Sequence, residues 1–233
     1  QARADAALDG TVTTVDIRHG DFRDTLTDLH QIDAIITDPP YPAEVPVGKG
    51  TVSVSADERT RPETTLDALA KLKPVFREGG TVTAGNSSGL TDGAAAMVLM
   101  SESRAKAEGR DPLARIIGMS WAGVPPEIMG IGPVPATKKV LDRTGLSLAD
   151  IDLIEINEAF AAQVIACERE LKFERDRLNV PGGGLSLGHP ICMSGARIIL
   201  SLAYAMRSRG AALGLATLCI SGGQGLAVVL ERA

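Results

Sequence analysis

The sequence GGGLSLGHPICMSGAR, residues Gly182–Arg197, holds the most informative group of residues in this chain. Pro190 biases His189 toward extended backbone geometry, and the glycines before it allow another backbone to approach closely. Ser194-Gly195 then begins a helical pattern, so His189 is expected just ahead of a helix N-terminus, where negative charge is stabilised. An imidazole, backbone N–H donors and a helix dipole are the components of an oxyanion site. A histidine packed in a tight turn of the core accounts for the same pattern equally well.

The composition sets the class of protein and excludes several functions. With 233 residues, 44% of them hydrophobic and few aromatic, the chain suits one large or two small domains with an aliphatic core. A net charge of −5 without a long basic run argues against nucleic-acid binding. Cys167, Cys192 and Cys219 show neither metal-ligand spacing nor a disulfide framework, which predicts a reducing, cytoplasmic setting. No apolar run is long enough for a bilayer and no signal peptide is recognisable, so we expect no membrane association.

The C-terminal half alternates between strand and helix patterns. Helices are predicted from Pro135 to Gly145, from Asn157 to about Lys172, and from Ser194 to Gly210. Strands are predicted at Leu113–Met119, Asp152–Ile156, Leu213–Ile220 and Leu226–Glu231. The last two strands are expected to form an antiparallel hairpin, and the first of this pair is apolar on both faces, as in a strand covered by helices on each side. The pattern predicts an α/β fold with a layered α/β/α domain.

The preceding segment, from Glu44, contains fewer regular elements. Val45–Val54 is predicted to be extended, and a short helix at Leu66–Leu72 should be capped by Thr64 or Thr65. Thr81–Gly89 is composed of short polar residues and glycine, which suit hydroxyl and backbone contacts to an extended ligand, although a plain surface loop would have the same composition. A strand is predicted at Ala94–Met100.

The first forty-odd residues have a different character. Strands are predicted at Thr11–Ile17 and Ile32–Thr37, and the second strand leads into Asp38-Pro39-Pro40-Tyr41. Residues 11–42 resemble an amino-group DNA methyltransferase fragment, in which this motif holds and stacks a flipped base. A strand ending in a Pro-Pro turn explains the motif as well, and the glycine-rich S-adenosylmethionine loop of that family is absent. We interpret residues 1–43 as a methyltransferase-like fragment without that activity.

Four separated segments resemble signatures of the thiolases, the coenzyme A-dependent acyltransferases that make or split 3-ketoacyl thioesters. They are TVTAGNSSGLTDGAAAMVLMSE (81–102), PPEIMGIGPVPA (125–136), NEAFAAQ (157–163) and the histidine segment quoted above. The resemblance spans about residues 44–233 and follows the thiolase order. It implies a thiolase C-terminal domain with a mixed sheet at 112–233, preceded at 44–111 by the tail of the loop and N-terminal regions, with the N-terminal domain largely missing.

The resemblance also assigns roles to individual residues. His189 matches the histidine that activates the nucleophilic cysteine and binds the thioester oxygen, and Asn157 matches the asparagine that completes this oxyanion hole. Cys219 matches the acid/base cysteine that moves the substrate α-proton. The backbone N–H at Ser221 matches a second oxyanion hole. From the residues alone, Asn157 is also an ordinary helix N-cap and Cys219 an ordinary buried strand cysteine.

A further set of residues matches the coenzyme A site of the family. Ser88 matches a serine contacting the pantetheine arm, Met129 and Phe160 match residues lining that channel, and Arg61 resembles an arginine near the nucleotide. A solvated charge in a turn explains Arg61 almost as well. The resemblance implies acyl-CoA or acetyl-CoA as substrate, no covalently bound cofactor, no metal, and a homo-oligomer or self-associating chain.

The sequence departs from the family pattern at several positions. The nucleophilic cysteine of thiolases belongs to the N-terminal domain, and no cysteine precedes Cys167 here. Cys192-Met193 replaces a pair of small residues, which should crowd the helix start. Ser221 replaces a glycine and would be unfavourable if φ there is positive. Pro181 stands where an asparagine is usual.

These observations favour a thiolase-family acyltransferase, catalysing Claisen condensation or thiolysis of 3-ketoacyl-CoA, that is inactive or nearly so on its own because the nucleophile is missing. One alternative is a non-catalytic module that binds coenzyme A or a protein partner. The other is a fragment of a DNA amino-methyltransferase, against which the missing glycine loop and the missing basic groove argue.

Overall fold

The computed structural model describes residues 61–233 in full and, before them, only the backbone of four short strands. These strands are β1 (Thr14–Asp16), β2 (Ala34–Thr37), β3 (Glu44–Val47) and β4 (Gly50–Ser53). β1 and β2 pair antiparallel with the two edges of β5 (Ala96–Met100), and β3 pairs antiparallel with β4. The motif at Asp38–Tyr41 lies outside the described residues.

The central sheet contains four strands in the order β6-β9-β8-β7. They are β6 (Ala114–Gly123), β7 (Leu153–Ile156), β8 (Leu213–Ile220) and β9 (Gln224–Arg232). β8 and β9 form the predicted antiparallel hairpin, β6 pairs antiparallel with β9, and β7 runs parallel to β8. The sheet is therefore mixed. β6 extends four residues beyond the predicted end because its pairing with β9 continues to Gly123 opposite Gln224.

Six α-helices occur in the fully described region. They are α1 (Leu66–Ala70), α2 (Glu102–Ala107), α3 (Pro133–Thr144), α4 (Ala161–Leu171), α5 (Gly184–Leu187) and α6 (Ser194–Arg209). The side chain of Thr65 caps α1 by accepting a hydrogen bond from the backbone N–H of Ala68 at 3.2 Å. Gly145 and Gly210 end α3 and α6 in the left-handed conformation, as their positions in the sequence predicted.

Alternation along the central strands divides the core into two layers. Leu215, Ala227 and Val229 pack with residues of α3 and α4, whereas Ala216, Val228 and Leu230 pack with residues of α6. Because neighbouring residues of a strand point to opposite faces, the sheet is covered by helices on both sides. The prediction of a layered α/β/α fold with a mixed sheet is confirmed.

One helix begins later than its sequence indicated. Helix α4 starts at Ala161, with Phe160 as its N-cap residue, so the prediction that Asn157 begins this helix is wrong. The reason is tertiary: the backbone N–H of Asn157 continues the sheet by donating to the carbonyl of Thr217 at 3.0 Å. The carbonyl of Ala159 accepts from the N–H of Ser88 at 3.1 Å instead of starting a helical ladder.

In the part of the chain that the structure describes, no helix is both long and apolar enough to cross a membrane.

Candidate active site

Two of the predicted catalytic residues lie where parallel strands β7 and β8 end. Ile156 pairs with Thr217, so Asn157 follows the end of β7 while Cys219 stands two residues farther along β8. Functional groups in α/β sheets gather at the carboxyl ends of parallel strands, and this edge has that position. Cys219 is buried, and burial raises the pKa of its thiol.

The histidine segment is fixed to this edge by backbone contacts. The N–H of His189 donates to the carbonyl of Gly89 at 2.9 Å, and the guanidinium of Arg197 donates to the carbonyl of Gly188 at 2.6 Å. Gly188 has φ of 89°, a conformation that favours glycine, and a Cβ there would collide with Thr91. The peptide before His189 is therefore held from two directions.

The imidazole of His189 has a polar partner on each ring nitrogen. Nδ1 lies 2.6 Å from Oγ of Ser194, and Nε2 lies 3.3 Å from Nδ2 of Asn157. Burial, followed by the positive charge of Arg197, lowers the pKa of His189. The structure thus brings His189 and Asn157 together, and the lowered pKa favours the neutral form of the ring.

Asn157 is held in place by a residue that the sequence reasoning missed. The side-chain amide of Asn179 forms two hydrogen bonds with the backbone of Ile156, the residue before Asn157. Its Oδ1 accepts from the N–H of Ile156 at 2.8 Å, and its Nδ2 donates to the carbonyl of Ile156 at 2.9 Å. Asn179 is buried and has φ of 45°, which asparagine tolerates better than most residues. Its amide supplies the hydrogen bonds that a neighbouring strand would otherwise make to β7.

Glu158 connects the same strand end to the glycine-rich turn. Oε1 of Glu158 accepts from Nδ2 of Asn179 at 2.7 Å, and Oε2 accepts from the N–H of Leu185 at 2.9 Å. A Cβ at Gly183 would overlap the Glu158 carboxylate, so glycine is required for this approach. The carboxylate therefore ties the Asn157 segment to the chain that leads into His189.

A buried carboxyl group lies behind the site. Glu155, on β7, is 3% exposed, and burial raises its pKa to about 8, with a further contribution from the charge of Glu158. Arg197 opposes this rise in pKa, and its own pKa is lowered mainly by burial. Arg197 therefore interacts electrostatically with the Glu155 carboxyl group while its guanidinium donates a hydrogen bond to the Gly188 carbonyl.

The predicted coenzyme A residue Ser88 contacts the segment that follows Asn157 and carries Phe160, another predicted coenzyme A residue. Both the backbone N–H and the hydroxyl of Ser88 donate to the carbonyl of Ala159, each at 3.1 Å, and Ser87 forms an isolated antiparallel bridge with Phe160. The ring of Phe160 packs edge-to-face on Phe76 with centroids 5.7 Å apart. The segment Thr81–Gly89 is thus anchored on the Asn157 segment through Ser88 and on the histidine segment through Gly89.

The other predicted site residues have different surroundings. Met129 is partly buried in a 3₁₀ segment, Pro126–Ile131, that packs against α4. Arg61 is exposed in a turn where its backbone carbonyl accepts from the hydroxyl of Thr64 at 2.8 Å.

The serine that replaces a family glycine causes no strain in this fold. Ser221 is exposed in the hairpin turn, and among fully described residues other than glycine only Lys172 and Asn179 have positive φ. The positive φ values in the turn belong to Gly222 and Gly223, so the condition under which a serine at 221 would be unfavourable is not met.

The three cysteines differ in burial. Cys167 is buried, donates to the carbonyl of Gly130 at 3.4 Å, and has its pKa raised by burial to about 11. The prediction that Cys192 crowds the start of α6 is wrong, because Cys192 is exposed. Met193 is buried near Gly93.

The residues that support the site carry weak sequence signals. Ser194 and Arg197 stand near the start of a helical pattern, where a serine reads as a cap and an arginine as a surface charge. Asn179 precedes a Pro-Gly-Gly turn, and an asparagine there suggests only a loop. Each of these side chains forms a hydrogen bond outside its own helical turn or loop, and sequence periodicity does not reveal such a contact.

Family models match most of the chain. The model of the thiolase C-terminal domain matches residues 110–232, and the model of the thiolase N-terminal domain matches residues 37–103, a range that includes Asp38–Tyr41. The chain belongs to the thiolase family.

Individual relatives agree with this assignment. An acetyl-CoA acetyltransferase of Escherichia coli strain K12 is 56% identical over 191 residues, covering 82% of this chain and 48% of that protein. An acetyl-CoA acetyltransferase of Pseudomonas aeruginosa strain PAO1 is 50% identical over 233 residues, covering 100% of this chain and 53% of that protein. The crystal structure of human mitochondrial 3-ketoacyl-CoA thiolase in complex with CoA superposes with a TM-score of 0.73 at 50% identity, covering 79% of this chain and 46% of that chain. The chain thus spans about half the length of the relatives it matches.

Proposed function

We propose that this chain carries the acid/base half of a thiolase-type acyltransferase site, acting on acetyl-CoA and acyl-CoA thioesters. The observation that carries the proposal is the His189–Asn157 pair, held 3.3 Å apart at the strand edge to which Cys219 also belongs. Three kinds of support join it: the family match, the CoA complex of a 50% identical relative, and the packing of Ser88 and Phe160 beside Asn157.

The residues have the following roles in the proposal. His189 first takes the thiol proton of Cys219 on Nε2, and the Cys219 thiolate then removes the α-proton of the thioester while the electron pair moves onto the thioester oxygen. Protonated His189 donates its Nε2–H to this oxygen, Asn157 assists, and the backbone N–H of Ser221 contributes a second oxyanion site. Ser88, Met129 and Phe160 hold the pantetheine arm, and Arg61 lies near the nucleotide. Coenzyme A takes part as a substrate, and the proposed reaction uses no covalently bound cofactor.

We further propose that these 233 residues do not supply the nucleophile of acyl transfer. Cys167 is buried with a raised pKa, Cys219 already has the acid/base role, and Cys192, although exposed, stands where the family has a small residue. A nucleophilic cysteine needs a lowered pKa or an adjacent base. Acetoacetyl-CoA thiolysis by the purified chain should therefore stay at the uncatalysed rate.

α-Proton exchange tests the proposed half-reaction without a nucleophile. Acetyl-CoA is incubated with the chain in D₂O, and deuterium uptake at the methyl group is followed by mass spectrometry. We expect exchange above the uncatalysed rate that is abolished in Cys219→Ala and reduced roughly 100-fold in His189→Ala. Cys192→Ser is the matched control and should keep the rate. Exchange that survives in Cys219→Ala would refute the assignment.

The alternative is a module that binds coenzyme A without chemistry. Ser88 and Phe160 favour it because their contacts do not involve the catalytic groups. Calorimetry with coenzyme A separates the two functions: binding without exchange supports the module, and absence of heat excludes both.

We also propose that the chain self-associates or forms a homo-oligomer. Three large apolar side chains along the histidine segment are exposed, namely Leu185, Leu187 and Ile191. Large apolar side chains left exposed near one another in the sequence favour contact with another protein surface. A clean monomer in size-exclusion chromatography at all concentrations would refute this.

A further inference from the structure

We propose that Ser194 is the positioning residue that fixes the tautomer of His189, holding the proton on Nδ1 so that Nε2 presents a lone pair at the strand edge. The inference rests on the proposed function only for its chemical consequence, because the tautomer itself is a property of the folded chain.

The position of the serine proton follows from its two partners. Ser194 is fully buried, and its Oγ lies 2.8 Å from the carbonyl oxygen of Pro190 and 2.6 Å from Nδ1 of His189. A carbonyl oxygen has no proton to give, so the single hydroxyl proton of Ser194 must lie in the bond to Pro190. Toward the imidazole the hydroxyl therefore offers a lone pair, and Nδ1 must be the donor.

The contact at the opposite ring nitrogen agrees with this assignment. A neutral imidazole carries one N–H, so a proton on Nδ1 leaves Nε2 as an acceptor. Nδ2 of Asn157, which can only donate, lies 3.3 Å from Nε2. The other tautomer would set the Nε2–H against the amide N–H of Asn157 and would leave no proton between Nδ1 and Oγ. It would lose two hydrogen bonds at once.

The backbone keeps the serine and the histidine in this relation. Ser194 opens α6, and its own N–H donates to the same Pro190 carbonyl at 2.9 Å, so the hydroxyl and the amide share one acceptor. At the other end, the N–H of His189 is held by the carbonyl of Gly89 at 2.9 Å. The five-residue connection thus has little freedom to turn the ring over.

This tautomer suits a base that later becomes a donor. When a thiol reaches Nε2, its S–H bond breaks, the electron pair stays on sulfur, and the proton forms a new Nε2–H bond. The imidazolium keeps Nδ1–H on Ser194 while Nε2–H faces the thioester oxygen. With the reversed tautomer, Nε2 would already carry a proton and could not accept another.

Nitrogen NMR of the full chain labelled with ¹⁵N-histidine reads the tautomer directly. The sequence has three histidines, and comparison with His189→Gln assigns the resonances of His189. At a pH where the ring is neutral, we expect Nδ1 with the shift of a protonated nitrogen and Nε2 with that of an unprotonated one. A wild-type spectrum with the proton on Nε2 overturns the inference, and this reading needs no variant to fold.

Two variants then test the role of the hydroxyl. Ser194→Ala should move the tautomer ratio toward Nε2–H by roughly tenfold, as expected for the loss of one hydrogen bond. Ser194→Thr keeps a hydroxyl and should restore Nδ1–H, which a purely structural role of Ser194 would not predict. An unchanged ratio in folded Ser194→Ala, judged by circular dichroism, overturns the inference.

The outcome is separable from that of the proposed function. Absence of α-proton exchange together with an Nδ1–H tautomer would refute the function and support this inference. Exchange together with an Nε2–H tautomer would support the proposed function and refute this inference.

Discussion

Replacing Glu155 by glutamine should make the stability of the fold less dependent on pH. Glu155 lies on β7, on the face toward α6, with 3% of its surface exposed. Burial raises the pKa of its carboxyl group to about 8, from an ordinary value of 4.5. Glutamine keeps the shape and the polar character of the side chain but cannot ionise, so Glu155→Gln removes only the titration.

The size of the effect follows from this rise in pKa. A change from 4.5 to about 8 corresponds to roughly 5 kcal/mol between the protonated and ionised forms. Between these two values the native protein keeps a proton on Glu155 that the unfolded chain has released. The unfolded state therefore binds fewer protons, and the free energy of unfolding should fall by about 1.4 kcal/mol per pH unit as the pH rises through this window. Above the folded-state pKa, this contribution becomes constant.

Urea unfolding followed by circular dichroism measures the effect. Wild type and Glu155→Gln are compared at intervals from about pH 5 to about pH 8.5, so that titrating groups that do not interact with Glu155 cancel in the difference. The advantage of the variant should grow steadily with pH and approach about 4 kcal/mol. Glu170→Gln, on the exposed surface of α4, controls for the loss of one carboxyl group. A difference between wild type and Glu155→Gln that stays constant over this range would refute the reasoning.

Three further predictions concern single side chains. Asn179→Ala leaves the buried N–H and carbonyl of Ile156 without their side-chain partners, so urea unfolding should show a loss of about 3 kcal/mol, and a loss below about 1 kcal/mol would contradict the role of this amide. Iodoacetamide should modify Cys192 in the native chain much faster than Cys219, which is buried with a raised pKa, and peptide mass spectrometry that found equal rates would show the burial to be wrong. A Cβ at Gly225 would overlap a backbone carbonyl, so Gly225→Ala should lower stability by about 1 to 3 kcal/mol, with Gly195→Ala as control because a Cβ there meets no neighbour.

Local patterns were enough to predict most regular elements of the C-terminal half. The end of α6 at Gly210 and the β8–β9 hairpin depend on residues next to one another in the chain, so glycine placement and alternation reveal them. The start of α4 was missed because Asn157–Ala159 is kept from helix formation by hydrogen bonds to Thr217 and Ser88, far away in the sequence.

The candidate site was only partly predictable for the same physical reason. His189 stood out through its proline and glycine neighbours, but its pairing with Asn157 was expected only from the family resemblance. The amide of Asn179 takes the place of a strand, and the hydroxyl of Ser194 selects a proton position. Neither role produces a periodic pattern in the sequence. The first depends on the contact of Asn179 with β7, and the second on the turn between His189 and Ser194.

The contacts of Asn179 also affect how the sheet meets other chains. β7 is one of the two edge strands of the central sheet. An uncovered edge strand is a template to which another chain can add its own strand. Here Leu178 makes a parallel bridge to Ile154, the N–H of Asn179 donates to the Ile154 carbonyl at 2.8 Å, and the Asn179 side chain occupies both polar groups of Ile156. These contacts cover the polar groups along that border of β7. The amide that holds the segment before Asn157 therefore also covers an edge to which another chain could add a strand.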